Sequence, residues 1–296
     1  MKEERKIKME GGLIDTACVL PMNGPNATIT YLDYAVDADP QPHLEGEIPM
    51  QTLSISPFTT VAHAESYQCS TAIQKSHMED LKSLHGVNAI EMSMDVLKNE
   101  MHAGIQKRLY EKYASLGSAC RESKKTKWRK WVEKKFNRQL PEYTEKPVSR
   151  ILIISNEIAS DSRRGLAQFV IVSPRTLSEL KKDPRFLPII QSKDDYQFPI
   201  AGQLPGMNVY INAGGRSDSN QVVIGRKTLS VGEPGVYYCE HSNDINSYED
   251  PISMNTRIQF LSRHAIIEVG QTPHSLYYTE DMIIGKKPWW RKLFRL

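Results

Sequence analysis

The chain has 296 residues and 33.7 kDa, with 40% hydrophobic and 25% charged side chains, a globular composition that allows one large or two ordinary domains with a sizeable core. A net charge of only +3 excludes a molecule built throughout as a polyanion binder, although basic clusters stand out locally. No apolar run approaches the roughly 20 residues that cross a bilayer, and no hydrophobic segment follows the charged start, so the reading is a soluble chain without a recognisable signal. Cys18, Cys69, Cys120 and Cys239 have no paired spacing, which fits free thiols in a reducing compartment.

Residues 1–10 alternate Lys, Arg and Glu too densely for a core element and read as a surface arm. Two apolar bursts follow, 13–20 and 29–36, separated by Pro21, Met22, Asn23, Gly24 and Pro25, which is turn chemistry. Pro40, Pro42, Gly46 and Pro49 among several acids make 37–49 extended and exposed. Residues 48–69 show no helical period on either side of Ser56, Pro57 and Phe58, so the pattern predicts a two-stranded excursion that bends there. An isolated hairpin is marginal in water, so this one must lie on something else, and a neighbouring subunit is the candidate.

The chain is organised around 72–117, which reads as a short helix followed by a long one. Ile73, His77, Leu81 and Leu84 recur at helical spacing, and Gly86 stands where a left-handed stop belongs. Asn88 and Glu91 have the spacing of an N-cap and its reciprocal partner. Met94, Leu97, Met101, Ile105 and Leu109 then make one apolar stripe. Lys98, Glu100, Gln106, Lys107, Glu111 and Lys112 make the wet faces, and Gly117 closes the helix. A helix over 88–116 would be on the order of 44 Å long, a spine against which other layers pack.

Residues 118–145 are strongly basic. Lys124, Lys125, Lys127, Arg129, Lys130, Lys134, Lys135 and Arg138 surround Trp128, Trp131, Val132 and Phe136, in the pattern of an amphipathic helix with a cationic back. It is either a packed helix with solvated lysines or a surface for nucleic acid or an acidic partner. Beyond Pro147 a new layer begins, with a buried strand at 151–154, a helix at 156–164 broken by Gly165, a strand at 169–172, and a helix from Pro174 carrying Leu177 and Leu180. The remainder reads as strand at 209–212, 222–225, 236–239 and 256–269. In the last of these Ile258, Phe260, Ser262, His264 and Ile266 alternate with residues of a face that is wet or meets a partner. The tail 286–296 sets Trp289, Trp290, Leu293 and Phe294 among Lys287, Arg291, Lys292 and Arg295, which suits docking on a neighbouring protein better than on a membrane. The order of elements is α+β.

No tight motif joins a nucleophile, a base and an oxyanion site. Gly214 and Gly215 before Arg216 lack the lysine and hydroxyl that hold phosphate and magnesium, and read as a hairpin turn. Among His63, His77, His85 and His102 no two stand four apart on one helical face with an acid, and the cysteines give no zinc spacing. The expectation is a protein that is not an enzyme and has no cofactor or metal site.

Four stretches in chain order carry a resemblance. Val19-Leu-Pro-Met-Asn-Gly-Pro-Asn26 resembles a Gln-Pro-Met-Asn-Gly-Pro turn, followed by a strand with Tyr31 and Tyr34. Met78-Glu-Asp-Leu-Lys-Ser-Leu-His-Gly86 is similar to Ala-Gln-Asp-Leu-Lys-Ala-Ile-His-Gly, leading into the spine. Asn156-Glu-Ile-Ala-Ser-Asp-Ser-Arg-Arg-Gly165, with Gln168-Phe-Val-Ile-Val-Ser-Pro174, resembles an Arg-Arg-Gly then Asn-Phe-Ile-Val segment. Asn208-Val-Tyr-Ile-Asn212, residues 222–227 and Pro234-Gly-Val-Tyr-Tyr238 follow a similar closing run of strands. On these motifs the chain resembles the major capsid proteins of T-even-like tailed bacteriophages, whose subunits have the HK97-like fold.

The resemblance implies an N-terminal arm at 1–47 and an E-loop at 48–71 lying over an adjacent subunit. It implies a P-domain at 72–147 with the spine helix and the basic segment, an A-domain at 148–250, and a closing strand with a basic aromatic tail at 251–296. The implied function is mechanical. Copies self-assemble as hexameric and pentameric capsomers into the icosahedral or prolate shell around the double-stranded DNA genome, in the virion, after assembly in the cytoplasm of the bacterial host. Implied partners are further copies, vertex, portal, scaffold or decoration proteins, and packaged DNA held non-specifically on the inner face, with no membrane. Phe58, as the loop tip, and Arg163 and Arg164, as ion-pair donors, are the expected inter-subunit contacts; the arginines are equally placed to cap their own helix. Precursors of the family are cut after a glutamate with an aliphatic residue upstream, and Ile7-Lys-Met-Glu10 loosely matches that pattern, which makes Glu10 a candidate cleavage site rather than the favoured reading. The chain is shorter than the T-even shell subunits, with no room for a large domain inserted in the E-loop, and its two basic aromatic segments match nothing in the family. The alternatives are a pentameric vertex protein of the same fold, an encapsulin-like compartment around protein cargo, and a nucleic-acid-binding protein using 124–138.

Overall fold

The computed structural model describes residues 5–6, 9, 11–36, 53–124, 146–189, 197–215, 220–250, 255–270 and 273–282. Glu10, the acidic stretch 37–52, the basic segment 125–145 and the tail 283–296 lie outside the described residues, together with the expectations placed on them.

In chain order the strands are β1 (Arg5–Lys6), β2 (Cys18–Pro21), β3 (Asn26–Val36), β4 (Leu53–His63), β5 (Glu65–Ile73), β6 (Phe169–Val172) and β7 (Leu187–Pro188). They continue as β8 (Ile200–Leu204), β9 (Met207–Ile211), β10 (Gln221–Gly225), β11 (Gly235–Glu249), β12 (Thr256–Val269) and β13 (Tyr277–Asp281). The helices are α1 (Lys75–His85), α2 (Ala89–Lys124), α3 (Pro147–Ser162) and α4 (Pro174–Leu180).

The spine is α2. Gly86 stops α1 at φ 64°, where the lack of a Cβ removes the steric cost. Asn88 then caps α2, its Oδ1 accepting from the Ile90 N–H at 3.2 Å. Leu97, Met101, Ile105 and Leu109 are buried as the stripe predicts, and the buried face runs on through Tyr113, Leu116 and Cys120. The helix therefore does not close at Gly117. A Cβ there would stand 2.7 Å from the Thr279 nitrogen and the Tyr278 carbonyl carbon, so this glycine lets β13 approach the helix backbone. Gln106, expected on a wet face, is fully buried; its Nε2 donates to His102 Nδ1 at 2.9 Å and its Oε1 accepts from the Phe198 N–H at 3.2 Å.

Two sheets share the spine. In the first, β11 and β12 form a long antiparallel pair, β5 extends it beyond β12, and β1 (antiparallel) and β2 (parallel) take different stretches of the other edge of β11. The second runs β13-β10-β6-β9-β8-β7. The unbroken apolar run of β6 reflects burial on both faces. Phe169 and Ile171 join the α2 core with Tyr113 and Tyr277, while Val170 and Val172 join a second core with Ile151 and Ile158 of α3 and Leu177 and Leu180 of α4.

Two expectations give way. The strand placed at 151–154 is the middle of α3: Val148, Ile151, Ile154, Ser155 and Ile158 are buried at helical spacing, Ile153 is exposed, and Pro147 takes a first-turn position where its missing N–H costs nothing. The predicted excursion does not bend at Ser56, Pro57 and Phe58. Instead β4 passes straight through them, paired with β3 from Asn26↔His63 to Val36↔Leu53, and after Ala64 the chain leaves as β5 for β12. The ribbon is thus β3–β4, and the stretch that joins its two strands is 37–52.

Candidate assembly surface

The residues singled out for contact lie on the ribbon and where it meets α3. Phe58 is not a loop tip. It sits in mid-strand opposite Tyr31, ring centroids 5.7 Å apart, a cross-strand aromatic pair that stiffens the ribbon. Arg163 ends α3 in the left-handed region at φ 53°, its N–H donating to the Ala159 carbonyl at 3.0 Å and its side chain exposed. Arg164 turns inward: Nη2 donates to Asp33 Oδ1 at 2.8 Å, with 15% and 8% of the two side chains exposed. Its acidic partner is therefore on β3 of the same chain. The Leu32 N–H adds a second tie, to the Gly232 carbonyl at 3.1 Å.

The monomer leaves apolar surface open beside these features. No residue of α1 is buried, Leu84 is 75% exposed, and Met92 and Val96 at the start of α2 are 61% and 59% exposed. An eleven-residue helix is marginal on its own in water, so an open apolar face here is suited to a partner.

A cleft of about 540 Å³ opens between α2, β12 and the β4–β5 junction. His63, Glu65, Tyr67, Arg108, Lys112 and His264 are among its lining residues. The Arg108 guanidinium carbon lies 3.2 Å from the centroid of the Tyr67 ring, a cation–π stack. Tyr67 in turn packs on His264 at 4.5 Å between centroids, and its hydroxyl donates to Glu65. Burial, and then the charge of Arg108, lower the His264 pKa to about 4, so the ring is neutral near neutral pH. Lys112 is paired with Glu268 at 3.1 Å, whereas Arg108 makes no ion pair among the described residues. Ser262 Oγ stands 2.9 Å from His264 Nδ1, but it is fully buried and donates to Asn243 Oδ1 at 2.6 Å, which makes the pair an internal network rather than an exposed nucleophile with its base.

A sequence-family model described as major capsid protein Gp23 matches residues 47–284, most of the chain. The chain belongs to the Gp23 major capsid protein family. Curated proteins give no match. Among solved structures, this Gp23-family subunit is similar to one from Microbacterium phage Oxtober96, with a TM-score of 0.60, 10% identity, and 93% of this chain and 92% of that one covered. It is also similar to the capsid structure of the cyanophage P-SCSP1u, with a TM-score of 0.54, 7% identity and coverage of 93% and 89%. A third is from Mycobacterium phage Adephagia, with a TM-score of 0.53, 10% identity and coverage of 95% and 92%. At such identities the likeness is one of fold, the α+β HK97-like subunit. As a Gp23-family member the chain is a major capsid protein, and its function is to form the phage head shell.

Sequence reasoning about this Gp23-family subunit missed Asp33, Tyr67 and Arg108. Asp33 carried a faint signal, an acid on the inward face of an otherwise apolar strand, between buried Tyr31 and the rest of the ribbon. Arg108 and Tyr67 carried none, since each looks like an ordinary residue of a solvated face until the fold stacks them.

Proposed function

We propose that this Gp23-family chain associates as hexameric and pentameric capsomers, with the β3–β4 ribbon acting as the E-loop laid over a neighbouring subunit. The observation that carries this reading is the ribbon itself: two long strands that, among the described residues, pair only with each other, and that are held to the body through Ile29, Tyr31 and Ala62 and the ties at Asp33 and Leu32. The pairing favours 26–63 as the E-loop in place of 48–71. The spine with its flanking sheet serves as P-domain, and the six-stranded sheet with α3 and α4 as A-domain near the capsomer axis. Arg163, exposed at the end of α3, faces outward for a neighbour, while Arg164 serves the ribbon.

Vertex, portal, scaffold or decoration proteins and the packaged DNA complete the partners, and the site of action is the virion, reached by assembly in the host cytoplasm. Removal of the start of the chain after Glu10 belongs to the same reading. The work is mechanical rather than catalytic, because modest contacts repeated around closed symmetry add up. Cryo electron microscopy of the protein expressed alone and of native particles tests it. Closed shells, tubes or hexameric rings of this chain are expected, with copy number separating shell from vertex; a strictly monomeric protein in both preparations overturns it.

A further inference from the structure

Along α2 the residues Met92, Val96, Asn99, Tyr110, Ala114 and Gly117 are spaced by three, four and eleven, close to whole turns, so they share one face of the helix. The C-terminal part of that face is covered by β13. There the Thr279 hydroxyl donates to the Ala114 carbonyl at 3.2 Å and the strand backbone crosses Gly117. Asp281, the last residue of β13, stands in register with Gln221, whose side chain accepts from the Tyr110 hydroxyl at 2.9 Å. The strand therefore advances from Gly117 to Tyr110, towards the start of the helix. Ahead of it the same face is open: Asn99, Val96 and Met92 are exposed, as is Leu84 at the end of α1.

The surround of this open stretch is acidic. Asp95 and Glu100 flank Val96 and are exposed, Asp95 making only a surface pair with Lys98 at 3.1 Å, of a kind worth little in water. Across 75–100 five acids stand against three lysines. An apolar strip with acids beside it suits a peptide of large apolar side chains set among cations. The chain carries one directly after β13. Residues 283–296 hold Lys286, Lys287, Arg291, Lys292 and Arg295, no acid, and Trp289, Trp290, Leu293 and Phe294. This tail lies outside the described residues and almost wholly beyond the family match, which ends at residue 284.

Reach decides between the two basic aromatic segments. From Tyr110, where β13 stops, to Val96 is fourteen residues of helix, roughly 21 Å at about 1.5 Å each. From Asp281 to Trp289 is eight residues, up to about 26 Å at about 3.3 Å each, so the first tryptophan arrives at the open stretch of its own chain. The segment 125–145 instead leaves from Lys124, at the opposite end of α2 and roughly 42 Å from Val96. A short tether also gives the tail a high local concentration at its own helix. We propose that the basic aromatic tail 286–296 continues along α2 and docks Trp289 and Trp290 on the open Met92–Val96 face of its own subunit, its cations against Asp95 and Glu100. This is a property of the single subunit and stands apart from the capsomer reading.

The test is a cross-link in the full chain carrying Asn99→Cys and Pro288→Cys. Both positions are outside the contacts invoked, and the native thiols are buried apart from the half-buried Cys69. A short bismaleimide is expected to join the two introduced thiols within one chain, giving a product of monomer mass on a denaturing gel and a joined peptide pair in mass spectrometry. Adding Met92→Ser with Val96→Ser, or Trp289→Ala with Trp290→Ala, is expected to slow the link at least about fivefold, since its rate follows the docked fraction. Circular dichroism is expected to be unchanged in every form. If the helix-face pair does not fold, the tryptophan pair, which lies outside the described core, carries the comparison. A link that forms equally fast in the folded variants, no link, or one that joins two chains overturns docking on the same subunit.

Discussion

At Gly117 the spine helix touches β13 backbone to backbone. Alanine would gain about 1 kcal/mol of helix propensity there, but its Cβ would stand 2.7 Å from main-chain atoms of Tyr278 and Thr279, in a strand fixed by its register with β10. Overpacking of this kind costs about 1–3 kcal/mol, and backbone yields less readily than a side chain, so Gly117→Ala is expected to lose about 2 kcal/mol net in urea unfolding. A gain would show that β13 moves aside freely. His264 makes a different demand. With a folded pKa of about 4 against 6.5, the folded state keeps the ring neutral while the unfolded chain takes up a proton below pH 6.5. Its contribution, on the order of 3 kcal/mol, is therefore fully present above pH 6.5, is lost as the pH falls towards about 4, and changes no further below that. Arg108 works with burial to lower this pKa and Glu65 against it. His264→Gln is expected to flatten the stability difference between about pH 7.5 and about pH 4.5, and an unchanged slope would place the acid sensitivity elsewhere.

Among the described residues, the ribbon strands pair only with each other, so a small core cluster and polar ties hold them to the body. Arg164 and Asp33 hold the ribbon to the end of α3 across 131 residues of sequence. Arg164→Ala would leave the Asp33 carboxylate largely buried without this cation, and breaking a buried pair from one side costs about 3–5 kcal/mol, somewhat less here because part of Arg164 is wet. The loss is expected to appear locally. Amide exchange in β3 and β4 should quicken while the six-stranded sheet, buried on both faces, keeps its protection; equal exchange in wild type and variant would show that the ribbon needs no such tie. The same scale explains α3. Its four consecutive apolar residues fit a buried strand or a helix equally well, and the helical choice was legible only in the wider spacing of Val148, Ile151, Ser155 and Ile158.

Over the whole molecule, one core joins α2 to both sheets, so the spine and its two layers hold together as a body, while a smaller cluster anchors the ribbon at Ile29, Tyr31 and Ala62. What this Gp23-family body leaves open is consistent with a subunit made to meet copies of itself: an α1 without a buried residue, an apolar start to α2, and an open cleft lined by Arg108, which makes no ion pair among the described residues. Edges are managed as well. The outer strand of the six-stranded sheet is two residues long and contains Pro188, which limits unplanned pairing along that edge.

The sequence by itself determined the features that depend on near neighbours. The α2 stripe, the Gly86 stop, the Asn88 cap, the helix opening at Pro174 and the strands 169–172 and 256–269 stand where local period and cap chemistry put them, because a turn of helix or a pleat is decided within a few residues. The α+β HK97-like architecture was legible through motifs spread along the chain. Only the tertiary structure decided that β4 pairs back to β3 and not forward to β5, that Gly117 is a contact and not a stop, that Gln106 is buried, and that Arg164 belongs to Asp33. It also decided that Arg108, Tyr67 and His264, from three separate elements, line one cleft. Each of these depends on a partner distant in sequence, and distance along the chain carries no local pattern to read.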